Sequence, residues 1–183
     1  FNYFDFDLAS KKVILATVHR RENWGANIRN ISLGIKRILD QFPDTLLLMP
    51  MHPNLKVRKS IKDILGSHKQ AILVEPFTYD KLVYSIKNCY LVITDSGGIQ
   101  EEAPALGKPV LVTRNFTERV EAIDAGTSIL VGTDPKDIFN AAKELLLNKS
   151  KYLSMSKSIN PFGDGKSSEK IFKIICKKLN IKY

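Results

Sequence analysis

Cysteine is scarce in this 183-residue sequence, with only Cys89 and Cys176. The two stand far apart, each inside an apolar helical pattern. They read as buried free thiols in a reducing compartment, without a disulfide framework or the paired spacing of a zinc site. Long apolar runs are missing as well, and nothing approaches the roughly 20 residues of a membrane span. Residues 1–10 are aromatic and acidic, without the basic start or small-residue cleavage site of a signal peptide. Phe1 is not an initiator methionine, so a preceding segment is expected. No Gly-x-Gly-x-x-Gly follows the first strand and no P-loop occurs, which disfavours a dinucleotide dehydrogenase and removes support for ATP hydrolysis. Arginine is sparse, seven residues against twenty-one lysines, although the net charge is +9. Residues 149–183 alone carry +7, from nine lysines against Asp164 and Glu169. Charge so confined, and supplied by lysine, reads as a solvated face rather than a nucleic-acid groove. A cytoplasmic protein with neither nucleic-acid nor membrane partners is therefore expected.

What remains is an ordinary globular composition, 44% hydrophobic and 26% charged, long enough for one domain or for a large half of a two-domain protein. Apolar runs at residues 12–18, 45–51, 71–74, 91–95, 109–113 and 127–131 read as strands. Between them lie helical patterns, clearest over 27–41, where Ile28, Ile31, Ile35, Ile38 and Leu39 recur on one face. Asp134 and Pro135 are placed to cap and open a helix over 135–147. Strands alternating with helices predict an α/β fold, a doubly wound parallel six-stranded Rossmann-like sheet whose strands lack polar alternation because helices cover both faces. Residues 1–11 read as an irregular lead-in and 12–165 as the domain. Residues 166–183 read as an amphipathic helix with Ile171, Ile174, Ile175 and Leu179 on one side. That side must pack on this sheet or on a neighbouring domain.

Parallel sheets bind ligands beyond the carboxyl ends of their strands, and the polar clusters fall there. His19-Arg20-Arg21-Glu22-Asn23 follows the first strand, His52-Pro53-Asn54 the second, Asp95-Ser96-Gly97-Gly98 the fourth and residues 113–119 the fifth. The fourth-strand cluster is organised as strand, two-glycine turn and helix, with Gln100, Glu101 and Glu102 opening the helix. It reads in two ways: a turn whose backbone N–H groups face a nucleotide's phosphates while a Glu reaches its ribose, or a helix start with acidic residues favourable to the dipole. His19, beside two arginines, suits an acid or hydrogen-bond donor to a leaving phosphate. His52 is weaker, since a turn explains Pro53 and Asn54. His68, in a Gly-Ser-His-Lys turn, reads as exposed. Arg114 and Arg119 are either surface residues or part of the ligand edge.

Taken together, Thr17-Val18-His19-Arg20-Arg21-Glu22-Asn23, Met51-His52-Pro53-Asn54, Thr94-Asp95-Ser96-Gly97-Gly98-Ile99-Gln100-Glu101-Glu102-Ala103-Pro104, Leu106-Gly107-Lys108-Pro109-Val110, Thr117-Glu118-Arg119 and Asn160-Pro161-Phe162-Gly163-Asp164-Gly165 resemble the non-hydrolysing UDP-N-acetylglucosamine 2-epimerases. The family has the two-domain GT-B architecture, and this sequence resembles its carboxyl-terminal half. The resemblance implies interconversion of UDP-GlcNAc and UDP-ManNAc. UDP is eliminated to leave a 2-acetamidoglucal and is then added back, with no metal or redox cofactor. Carried over by position, Ser96, Gly97 and Gly98 meet the diphosphate and Glu102 the ribose. The backbone near Leu82 meets the uracil, and Arg20 and Arg119 belong to the UDP site. His19 assists departure and return of UDP, with Glu22 close to the reacting sugar. Arg20 and His52 match positions linked in bacterial members to a second, activating UDP-GlcNAc. Departures from the family pattern are Leu82 for Phe, Val120 for Pro, Phe162 for Tyr and the pair Asn115-Phe116. In the family the amino-terminal half supplies carboxylates for proton transfer at the sugar's C2, so the chain alone is expected not to epimerise. The full-length enzyme is expected to be a homodimer serving cell-envelope polysaccharide. Alternatives are a free-standing UDP-sugar binding module and half of a GT-B glycosyltransferase.

Overall fold

The apolar runs become β1 (Lys12–Thr17), β2 (Thr45–Pro50), β3 (Ala71–Val74), β4 (Leu91–Thr94), β5 (Val110–Val112) and β6 (Ser128–Leu130) in the computed structural model, which describes residues 3–4 and 11–181. Of the lead-in, only Tyr3, Phe4 and Lys11 fall within the described residues. The helices are α1 (Ala26–Gln41), α2 (Leu55–Leu65), α3 (Tyr79–Asn88), α4 (Gly97–Ala105), α5 (Val120–Asp124), α6 (Pro135–Leu147), α7 (Lys149–Ser156) and α8 (Ser167–Leu179). The strands pair in parallel in the order β3-β2-β1-β4-β5-β6. The chain winds outward from β1 to β3, then returns to lay β4 on the other side of β1. Helices diverge at that reversal and leave a crevice at the carboxyl ends of β1 and β4.

Both faces of the sheet are covered, as the unbroken apolar strands require. Ile14, Leu47, Met49, Leu91 and Ile93 pack under α1, α2 and α6. Val13, Leu15, Leu48, Val92 and Val112 pack with Ile86 at the end of α3 and with Ile99 and Ala103 of α4. The stripe read from the sequence of α1 is buried throughout, each isoleucine worth about 1.5–3 kcal/mol of burial. At Gly34, α1 passes so near α6 that an added Cβ would lie 3.1 Å from Ile138 Cβ. The Asp134 side chain accepts the Lys136 N–H at 2.7 Å, capping α6 as expected, and Asn54 does the same for α2.

Three local expectations need correction. Gly97 and Gly98 lie in the first turn of α4, not in a turn before it, and neither has a positive φ. His68 is largely covered rather than exposed: one ring nitrogen meets Asp40 at 3.1 Å and the other accepts the Gln70 N–H. Cys89 ends α3 rather than lying inside it. The two cysteines are free and buried, as read, and burial pushes the Cys89 thiol up to about 12. On the apolar side of α8, Ile171, Phe172, Ile174, Ile175 and Leu179 are each 49–63% exposed, and Cys176 is the helix's one buried residue.

Candidate functional site

Where β1 and β4 end side by side, Thr17 pairs in register with Thr94, and their buried hydroxyls hydrogen-bond at 2.7 Å. One residue further on, Asp95 is fully buried. Its carboxylate accepts the His19 N–H at 3.0 and 3.1 Å, the Arg20 N–H at 2.9 Å and the Asn23 amide at 2.9 Å. The other Asn23 amide proton goes to the Thr113 carbonyl at 3.1 Å. The loop after β1 is thus fastened to the ends of β4 and β5, and Arg21–Asn23 tightens into a 3-10 turn. A charged group buried this deeply is tolerated because its oxygens are saturated by donors.

That loop aims the His19 ring at His52 from the end of β2, centroids 5.7 Å apart and planes 13° from parallel. His52 Nδ1 accepts the Asn54 N–H, which leaves the ring proton on Nε2. The His19 Nδ1 lies 3.8 Å from Asp95. Both rings border a cavity of about 290 Å³. Its apolar wall is Met51, Phe77 and Leu82, and its other side is Ser96, Gly98, Ile99 and Glu102. Ser96 precedes α4 without its hydroxyl capping the helix, which leaves the first-turn N–H groups for a ligand. A Cβ on Gly98 would meet nothing within 4 Å, so the backbone lies bare to the cavity there. Burial pushes the Glu102 carboxyl above its ordinary range, Glu101 adds to this, and a Tyr79 hydrogen bond works the other way.

Beside the cavity stands a charged cluster. Buried Arg114 donates through Nε to Glu22 and through Nη1 to Glu118, both at 2.6 Å. Burial works against its charge, but the two carboxylates outweigh it and its pKa is raised. Arg20 donates to Glu118 at 3.2 Å, and Arg119 pairs with Glu101. Glu118 is held below the usual carboxylate range by its own backbone N–H and by Arg114.

Of the residues singled out from the sequence, His19, His52, Leu82, Ser96, Gly98 and Glu102 meet at one cavity. Arg20, Gly97 and Arg119 stand around Glu118 at its charged edge. Glu22 is set apart, turned to Arg114 and lining a second cavity of about 90 Å³ with Asn27 and Asn115. Sequence reasoning missed Asp95 as an organiser, Arg114 and Glu118 as the centre of the charge network, and Phe77 as a wall. Only Asp95 carried a readable signal, an ionisable residue closing a buried apolar strand. Among the described residues no cluster of His, Cys, Asp or Glu is arranged to hold a metal, and no helix is long and apolar enough to cross a membrane.

Comparison with known proteins identifies the family. The family profile described as UDP-N-acetylglucosamine 2-epimerase matches residues 3–176. The UDP-N-acetylglucosamine 2-epimerase of Campylobacter jejuni is 43% identical over 171 residues, which are 93% of this chain and 45% of that protein. The structure of Staphylococcus aureus MnaA with UDP superposes with a TM-score of 0.92 at 45% identity, over 96% of this chain and 48% of that one. A Neisseria meningitidis UDP-GlcNAc 2-epimerase bound to UDP-GlcNAc gives 0.88 at 44% identity, over 91% and 45%. The carboxyl-terminal domain of a Francisella tularensis group 1 glycosyltransferase, 16% identical over 82% of each chain, has a TM-score of 0.66 and shares the fold alone. The chain spans about half the length of the curated relatives it matches.

Proposed function

Because this chain belongs to the UDP-N-acetylglucosamine 2-epimerase family, we propose that it is the UDP-binding half of an enzyme interconverting UDP-GlcNAc and UDP-ManNAc. The observation that carries this is a single cavity with an uncapped helix start, a carboxylate one turn along and a histidine pair opposite. The diphosphate meets the N–H groups of Gly97 and Gly98 and the Ser96 hydroxyl, with Arg20 and Arg119 beside it. Glu102, one helical turn on, accepts from the ribose hydroxyls. The uracil lies against Phe77 and Leu82, held by backbone near Leu82. His19 protonates or hydrogen-bonds the departing UDP, its ring placed by the loop that Asp95 anchors. Glu22 stands on the side of the reacting sugar, oriented by Arg114.

At about 290 Å³ the cavity is at the small end of ligand sites, which run from roughly 300 to 1,000 Å³. It suits part of a nucleotide-sugar, with the sugar roofed by the other half of the parent protein. That half also supplies the proton-transfer groups at C2, so this chain by itself does not epimerise. The exposed apolar side of α8 is the natural seat for the preceding half, and the parent is a cytoplasmic homodimer in the same proposal. His52, whose ring stacks on His19, belongs to the edge at which a second UDP-GlcNAc would act.

Titration calorimetry with UDP tests the core of this. At a pH above the raised pKa of Glu102, Glu102→Ala should weaken UDP by about 1.5–3 kcal/mol, the worth of a charge-assisted hydrogen bond. Equal affinities would take Glu102 out of the ribose role.

A further inference from the structure

Glu118 stands where an anion would. Its Oε2 is 2.6 Å from Arg114 Nη1, and its Oε1 is 3.2 Å from Arg20 Nη2 and 3.6 Å from Arg119 Nη1. The same Oε1 lies 3.2 Å from where a Cβ on Gly97 would sit, at the first residue of α4. Three guanidinium groups and a helix start converging on one carboxylate is the environment that phosphate groups receive elsewhere. The cluster is also already neutral, with Arg20, Arg114 and Arg119 matched by Glu22, Glu101 and Glu118. As it stands it offers an incoming diphosphate no net positive charge.

We propose that Glu118 is an internal occupant of the diphosphate position, displaced when a nucleoside diphosphate binds. The proposal rests on the UDP reading of the cavity and adds how that site is kept before the ligand arrives. The partners differ in what they keep when Glu118 leaves. Arg114 retains Glu22 and Arg119 retains Glu101. Arg20 has no ion pair besides Glu118 among the described residues, so its guanidinium is the one fully released to a phosphate. Glu118 lies in the loop between β5 and α5 with its side chain 40% exposed. It can turn into water without disturbing the core. Its depressed pKa keeps it charged, and hence in competition, until displaced. Binding therefore exchanges one carboxylate for a phosphate, and affinity reflects the difference between them.

Calorimetry on the whole chain with UDP, inorganic pyrophosphate and uridine tests this. Glu118→Gln keeps the shape and removes the competing charge. It should bind UDP and pyrophosphate roughly 5- to 30-fold tighter than wild type, the range of one or two kcal/mol, with uridine affinity unchanged. Wild type that binds UDP beside a variant that binds it equally or more weakly would overturn the proposal and leave the UDP reading intact. Failure of both proteins to bind UDP would overturn the UDP reading and the proposal with it. A crystal structure of the wild-type chain with UDP gives a check that needs no variant. Glu118 should have left Arg20 and Arg114, and a carboxylate still seated between them beside bound UDP would refute the displacement.

Discussion

Asp95 organises the site without lining the cavity. One carboxylate accepts from two successive backbone N–H groups and an asparagine amide, and so determines where the His19 ring points. Replacing it by alanine leaves those donors facing a void at the end of a buried strand. Asp95→Ala should lower stability by roughly 2–4 kcal/mol, since each buried group left unsatisfied costs about 1–3. Urea denaturation would show this as a lower midpoint. UDP affinity in the folded fraction should fall as well, because the loop carrying His19 and Arg20 loses its anchor. An unchanged midpoint would mean that water replaces the carboxylate freely. Arg114 illustrates the reverse dependence, a buried cation whose place is set by Glu22, ninety-two residues earlier in the chain.

Among the elements, α4 combines two demands that conflict. It opens on two glycines, poor helix formers that bring the backbone close to the cavity. Neither glycine needs a positive φ, so their value lies in the missing side chain rather than in backbone freedom. At Gly98 the space is open. Gly98→Ala should therefore leave the fold intact and raise stability by up to about 1 kcal/mol. The added methyl should also weaken UDP, because it points where the phosphate must approach. Thermal melts and calorimetry on the same preparation would separate the two effects; undiminished affinity would show that the phosphate lies elsewhere. Gly97 differs, because a Cβ there would press on Glu118 and Arg20 and disturb the ion cluster itself.

For the whole molecule, the sheet and helices α1 to α7 form the packed body, and the apolar residues of α8 are about half exposed. Since Cys176 is its one buried residue, α8 adds little to the body's stability. A chain ending at residue 166 should melt within about 4 °C of the full chain, the shift of roughly 1 kcal/mol for a protein of this size, and should bind UDP as well. A much larger drop would show that α8 is integral to this half rather than reserved for the other. The concentration of lysine on residues 149–183 fits the same division. It solvates the helix opposite its half-exposed apolar side.

The run of strands and helices was legible because burial on both faces leaves a periodic mark: the α1 stripe and the unbroken apolar strands admit few arrangements. The short motifs around His19, Ser96 and Glu102 were legible because glycine, histidine and carboxylate at strand ends have few structural uses. His68 was misread because Asp40, which covers it, lies twenty-eight residues away. Arg114 and Glu118 could not be assigned for the same reason, since a charged loop looks alike in sequence whether it faces water or a buried partner. Local sequence therefore determined the elements, their order and the strand ends at which the polar motifs gather. Only the tertiary structure, by bringing the ends of β1, β4 and β5 together, decided which carboxylate anchors the loop and which one holds the arginines. Those choices depend on distances between residues far apart in the chain, and no local pattern encodes them.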